Sequence, residues 1–89
     1  MITSEQVRAA RAILRWEQTD LAHPSKVSLP SIKRLETIPG PLAAREQTAE
    51  ALRAALEAAG VEFIGPEGVK LSKWKAKMLR GGGEDAKER

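Results

Sequence analysis

Helix-breaking residues divide this chain into short segments. Proline or glycine interrupts it at Pro24, at the Pro-Gly-Pro run of residues 39–41, at Gly60 and again within residues 65–68. Proline lacks the amide hydrogen that a helix interior needs, and glycine readily adopts the left-handed conformation that ends a helix. A chain of 89 residues broken at these points is predicted to form one small domain of short elements.

Two helices are predicted in the first quarter of the chain. Thr3 and Gln6 stand three residues apart, which is the spacing of a capping box at a helix start. Apolar residues then recur at helical intervals as far as Leu14. A second, shorter helix is predicted over about residues 18–23, and Pro24 is expected to end it.

The rest of the chain predicts two further helices and a hairpin. Ser28 is a favoured N-cap, and Pro30 is tolerated in the first turn of the helix that follows. A long alanine-rich helix is predicted over roughly residues 45–59, with a glycine after it as the stop. Apolar residues on either side of a Gly-Pro turn, at 61–64 and 69–71, predict a small β-hairpin.

Composition limits both the core and the chemistry. Apolar residues make up 42% of the sequence, but only Trp16, Phe63 and Trp74 are aromatic, so the core is predicted to consist of Ala, Leu, Ile and Val. With no cysteine there is no disulfide, thiolate nucleophile or cysteine-based zinc site, and the single His23 does not make a metal centre. The sequence therefore predicts a protein that is not an enzyme, with no catalytic residues, metal or cofactor.

Charge is unevenly distributed around a net +3. Residues 23–36 and 70–80 are basic, whereas residues 37–69 between them are acidic. A solvated extension and a DNA-binding arm both remain open as explanations of the second basic run. No run reaches the about 18 apolar residues of a membrane span, and residues 1–20 lack the features of a secretory signal, so a cytoplasmic location without membrane association is expected.

Four stretches of the sequence resemble one known family. Two short helices joined by a tight turn describe a helix-turn-helix unit, whose second helix enters the major groove of DNA. The sequence resembles the XRE family of phage-repressor and Cro-like helix-turn-helix transcriptional regulators. The matching runs are Gln18-Thr19-Asp20-Leu21-Ala22, Val27-Ser28, Ser31-Ile32-Lys33-Arg34-Leu35-Glu36 and the run from Leu52 to Phe63.

The resemblance implies a fold and a function. The fold would be mainly α, a lambda-repressor-like helix-turn-helix bundle of four or five helices with a small C-terminal β-hairpin. The protein would regulate transcription by binding double-stranded operator DNA as a homodimer, because paired half-sites multiply the specificity of one recognition helix. Residues 1–71 would form this domain, residues 72–80 a basic amphipathic extension and residues 81–89 a disordered tail.

The resemblance also implies DNA contacts. Gln18 would hold a phosphate at the start of the second helix. Ser28 and Ser31 would cap the third helix and contact the DNA backbone, and Arg34 would read a base edge, with guanine as the best match to its fork. The predicted DNA-binding residues are Gln18, Ser28, Leu29, Pro30, Ser31, Lys33 and Arg34.

Three other positions concern structure rather than DNA. Arg11 and Glu36 match positions that in this family form an ion pair between the first helix and the end of the third. Lys26 stands in the turn where the family usually has glycine, because the backbone there takes a positive φ. A strain of order 1 kcal/mol is tolerable at such a position.

A second function is predicted by the residues that depart from the family. Leu29 and Pro30 fill the first base-reading positions, where they can touch thymine methyl groups but cannot hydrogen-bond a base. The alternative is therefore an antiactivator or antitoxin-like regulator on the same fold. It would bind a partner protein, such as another transcription regulator, through Leu29, Pro30, Trp74 and Met78.

Overall fold

The computed structural model describes residues 2–72 and 74–75. These residues form four α-helices and then a two-stranded antiparallel hairpin, which confirms the predicted mainly helical domain with a small hairpin. The elements are α1 (Ser4–Leu14), α2 (Gln18–Ser25), α3 (Leu29–Thr37), α4 (Glu46–Ala58), β1 (Val61–Ile64) and β2 (Gly68–Leu71). Met78 and the predicted tail of residues 81–89 lie outside the described residues, as does most of the predicted extension of residues 72–80.

Helix α1 begins with the predicted capping box. The backbone N–H of Gln6 donates to Thr3 Oγ1 at 3.1 Å, and the backbone N–H of Thr3 donates to Gln6 Oε1 at 3.0 Å. Ile2 and Val7, on either side of this cap, are both buried. This is the arrangement of a hydrophobic staple, which fixes the angle at which the chain enters the helix.

Helix α2 continues further than the sequence predicted. It passes through Pro24 to Ser25, so the expectation that the proline ends the helix is wrong. The proline lies in the last turn, where it removes only the hydrogen bond to the Asp20 carbonyl, and both residues are exposed to water. Ser25 is buried, and its Oγ donates to the Leu21 carbonyl at 2.7 Å. The turn follows at Lys26, whose φ of 61° is left-handed as expected.

One apolar core joins the four helices to the hairpin. Helix α1 packs against α3, α4 and both strands, and α2 packs against α3 and α4. The buried apolar residues are Ile2, Val7, Ala10, Leu21, Ile32, Leu35, Leu42, Leu52, Ala55, Leu56 and Val61. Within the part of the chain that is described, no helix is long and apolar enough to cross a bilayer.

A buried glutamine connects α1 to the hairpin. Strands β1 and β2 pair so that Val61 lies opposite Leu71. The side-chain Nε2 of Gln6 donates to the carbonyls of Gly65 and Gly68, both at 3.0 Å. Because Gln6 is fully buried, these bonds satisfy an amide that water does not reach.

The loop between α3 and α4 is attached to the start of the chain. The backbone N–H of Leu42 donates to the Ile2 carbonyl at 3.1 Å, and that of Ser4 donates to the Gly40 carbonyl at 2.9 Å. The Gly40 N–H in turn donates to a carboxylate oxygen of Glu5 at 3.1 Å. This attachment determines where the first turn of α4 lies relative to α3.

Candidate nucleic-acid interface

Helix α3 begins with two serines that are hydrogen-bonded to each other. Ser28 is the N-cap, and its Oγ accepts from the backbone N–H of Ser31 at 3.3 Å. The two hydroxyl oxygens lie 2.9 Å apart. Pro30 stands in the first turn, where a missing amide hydrogen costs no helical bond. The cap therefore has the predicted form, while a contact of either serine with DNA stays a prediction.

The outer face of α3 is exposed and carries two positive charges. Ile32, Leu35 and Glu36 are buried on its inner face. Lys33 and Arg34 are exposed on the other side, as the sequence predicted. This face is mixed in character, because Pro30 and Thr37 are exposed beside the charges.

Leu29 is only partly available at the surface. It is half-buried, and it lines a shallow depression between α2 and α3 together with Glu17, Gln18, Thr19 and Lys33. Leu29 therefore already has neighbours within the chain. Pro30, next to it, is exposed.

A second depression lies on the opposite side of α3, and we call it the basic cleft. Its charged lining residues are Lys26, Arg34 and Arg45, and no acidic residue lines it. Three hydroxyl groups, those of Ser28, Ser31 and Thr48, complete its polar lining. The rest is apolar and consists of Val27, Leu35, Ala43 and Ala44. Three cations around one concave surface raise the local concentration of anions.

Sequence reasoning missed two of these cations. The sequence places Lys26 in a turn within the basic run of residues 23–36 and Arg45 at the start of a helix, and it predicts a DNA contact for neither. They are 19 positions apart, and the attached loop before α4 brings them to one cleft with Arg34. Arg45 is the N-cap of α4, and its side chain makes no capping hydrogen bond. Ser, Thr, Asp or Asn is favoured at this position, so an arginine there was the sequence signal that its side chain has another role.

Arg11 and Glu36 are brought together by the fold, in the predicted pair. Arg11 Nη2 donates to Glu36 Oε1 at 2.7 Å, and Arg11 Nε donates to Oε2 at 2.8 Å, so the pair is bidentate. The Glu36 side chain is only 4% exposed. Hydrogen bonds from the Arg11 guanidinium to this carboxylate raise the pKa of Arg11 above its ordinary value.

Gln18 belongs to the same network. Its Nε2 donates to Glu36 Oε1 at 3.0 Å, so one amide hydrogen is directed into the protein. Two exposed acids stand at the start of α2, the N-cap Glu17 and Asp20 in the first turn, and the backbone N–H of Glu17 donates to Asp20 Oδ2 at 2.7 Å. These carboxylates oppose an anion at the start of α2, and a contact of Gln18 with a phosphate stays a prediction.

Trp74, another predicted partner-binding residue, stands beside Lys75 near the end of α4 rather than at its start. Trp74 is 50% exposed, and the Nζ of Lys75 lies 5.7 Å from the centroid of its ring. The side chain of Lys75 lies against Gly60, just after the end of α4, whereas the basic cleft is at the start of that helix.

Comparisons with known protein families, curated proteins and solved structures found no match to this chain. The described residues contain no group of three or more His, Cys, Asp or Glu side chains arranged to hold a metal ion.

Proposed function

We propose that this protein is a helix-turn-helix transcriptional regulator that binds double-stranded DNA through α3 and the basic cleft. The proposal includes a lambda-repressor-like arrangement, in which α2 and α3 form the helix-turn-helix unit. The observation that carries it is the basic cleft, where Lys26, Arg34 and Arg45 surround a surface without an acidic residue. This surface adjoins the outer face of α3, which an approaching duplex would meet first.

The dimensions of α3 support insertion into a major groove. An α-helix with its side chains is about 10–12 Å in diameter, which fits the major groove of about 12 Å width, and the nine residues of α3 give about 13 Å of helix to lie in it. The exposed Lys33 and Arg34 would face base edges. Pro30 would contact a thymine methyl group, since it has no group to hydrogen-bond a base.

The phosphate contacts would lie on either side of α3. Lys26 and Arg45 in the basic cleft, with the hydroxyls of Ser28 and Ser31, would bind one strand. The Gln18 amide would reach the backbone on the other side through its remaining N–H. A homodimer would place two such surfaces on paired half-sites about one turn of DNA apart.

A salt series tests this proposal. Binding to a labelled duplex of about 20 base pairs is followed by fluorescence anisotropy at several salt concentrations. Arg45→Ala should weaken binding to all sequences and reduce the salt slope by about 1, because it removes one phosphate contact. Arg8→Ala is the matched control, since Arg8 is exposed on α1 and does not line the basic cleft.

The outcomes separate the proposal from its alternative. Unchanged binding in Arg8→Ala with a loss in Arg45→Ala supports DNA contact at the basic cleft. Equal losses in both variants, or no salt-dependent binding by the wild type, would contradict it.

The second candidate function is the antiactivator. It is favoured by the exposed Pro30 beside Leu29, at the positions where a DNA reader has polar side chains. In that case Leu29→Ala would abolish capture of a partner regulator without unfolding the domain, and the wild type would show no DNA binding at low salt.

A further inference from the structure

A groove along α4 lies beside the proposed DNA-binding surface, with which it shares the lining residue Ala44, and we call it the α4 groove. Its floor is apolar and is formed by Ile2, Leu42, Ala44 and Ala49. Its charged lining residues are Glu46, Glu50 and Arg53. These three stand on a different face of α4 from Arg45 and Thr48, which line the basic cleft.

The negative charge of the α4 groove is not neutralised within the described part of the chain. Arg53 donates to the Glu57 carboxylate at 3.0 Å and lies over the ring of Phe63, so it is already engaged. Glu46 and Glu50 form no ion pair among the described residues. They are four positions apart on one helix face, where like charges destabilise the helix. A bound cation would relieve this repulsion.

The chain itself contains a segment with the complementary chemistry. Residues 76–80, which lie outside the described part, read Ala-Lys-Met-Leu-Arg. Lys77 and Arg80 supply cations, and Met78 and Leu79 between them supply apolar side chains. This pattern matches an apolar floor flanked by two carboxylates, and the proposed DNA contacts use none of these residues.

Chain length favours docking between two copies over docking within one. The side chain of Lys75 lies against Gly60, at the far end of α4 from the groove floor. From Lys75 to Met78 an extended chain covers about 11 Å. Ala49 stands eleven residues before Gly60, about 16 Å along a helix. Within one chain, Met78 and Leu79 would approach the apolar floor only if residues 76–79 were fully extended along α4, whereas a segment from a second copy is under no such constraint.

We propose that residues 76–80 of a second copy dock in the α4 groove, with Met78 and Leu79 on the apolar floor and Lys77 and Arg80 at Glu46 and Glu50. By two-fold symmetry each copy both gives and receives a segment, which builds a closed dimer. The interface shares only Ala44 with the lining of the basic cleft and uses none of the three cations there, so it does not depend on DNA binding.

Charge reversal tests the proposal on the full chain without DNA. The mass in solution is measured by sedimentation and by light scattering over a range of concentrations. One variant reverses the groove (Glu46→Lys with Glu50→Lys), and a second reverses the segment (Lys77→Glu with Arg80→Glu). The control, Glu62→Lys with Glu67→Lys, makes the same change in net charge as the groove variant, at two exposed positions of the hairpin.

We expect the wild type and the control to be dimers, and each reversed variant to have a dimer Kd weaker by about tenfold or more. An equimolar mixture of the two reversed variants should recover the dimer, because each segment then meets a groove of opposite charge. Thermal melts verify that all variants fold. A wild type that is monomeric at every concentration, reversed variants that dimerise like the control, or a mixture that stays monomeric would each overturn the proposal.

Discussion

Removing the Glu36 carboxylate is the most demanding test of how the helices are held together. Glu36→Ala deletes a group that accepts three hydrogen bonds, two from Arg11 and one from Gln18. It thereby removes the hydrogen bonds that join α1 and the start of α2 to the end of α3. The substitution leaves the guanidinium without its counter-charge in a partly buried place.

The expected loss of stability in Glu36→Ala depends on how exposed the Arg11 and Glu36 side chains are. Truncating one member of a fully buried pair costs about 3–5 kcal/mol, because the other charge stays uncompensated. The Arg11 side chain is 19% exposed and keeps its bond from Nη1 to the Trp16 carbonyl at 3.0 Å, so water recovers part of its solvation. We therefore expect Glu36→Ala to lower the free energy of unfolding by about 2–4 kcal/mol.

The chain offers a matched control for this experiment. Arg53 and Glu57 form an ion pair with a similar 3.0 Å distance, but their side chains are 38% and 45% exposed. Glu57→Ala should cost at most about 0.5 kcal/mol, as for other exposed pairs four residues apart. The assay is urea unfolding at pH 7, followed by circular dichroism. The variants are compared when the slope of the unfolding free energy against urea concentration is the same for each, so that a changed midpoint reports a change in stability. Equal losses in the two variants would refute the reasoning.

Three further variants test other contacts. Gln6→Glu places a carboxylate against the Gly65 and Gly68 carbonyls, so we expect a loss of about 3 kcal/mol or more, and a urea midpoint like that of the wild type would contradict this. Lys26→Gly relieves the left-handed backbone at φ 61° and should raise stability by about 0.5 kcal/mol over Lys26→Ala, whereas equal melting temperatures would argue against strain. Hydrogen bonds from backbone N–H groups lower the pKa of Glu5 below its ordinary value of 4.5, so its contribution to stability is present above pH 4.5 and is lost as the pH falls through the lowered pKa. Glu5→Gln should therefore flatten the acid side of the stability curve, and a curve parallel to that of the wild type would show that this contact contributes nothing.

Sequence reasoning succeeded where the interacting groups are close along the chain. The caps at Thr3 and Ser28 each depend on a residue three positions away, and the structure has both. The end of α2 was predicted too early, because the cost of a proline depends on what surrounds it. At Pro24 the lost bond is at an exposed carbonyl, and the buried Ser25 continues the last turn.

Contacts between distant residues were beyond the sequence alone. Gln6 was predicted as a cap, but its bonds to the hairpin turn join residues 59 and 62 positions apart. The Arg11 and Glu36 pair, 25 positions apart, was expected only because a family resemblance supplied the pairing. No family resemblance predicted the position of Arg45. It lies in the basic cleft because backbone hydrogen bonds attach the loop before α4 to the N-terminal residues.

The most direct test of the proposed function is an amide-shift titration of the labelled protein with a duplex of about 20 base pairs at low salt. If the protein binds DNA through α3 and the basic cleft, the largest changes will be at Ser31, Arg34 and Arg45, and the amides of β1 and β2 will be unaffected. If no amide shifts at low salt, or if the changes are confined to the hairpin, the proposed DNA-binding surface is wrong.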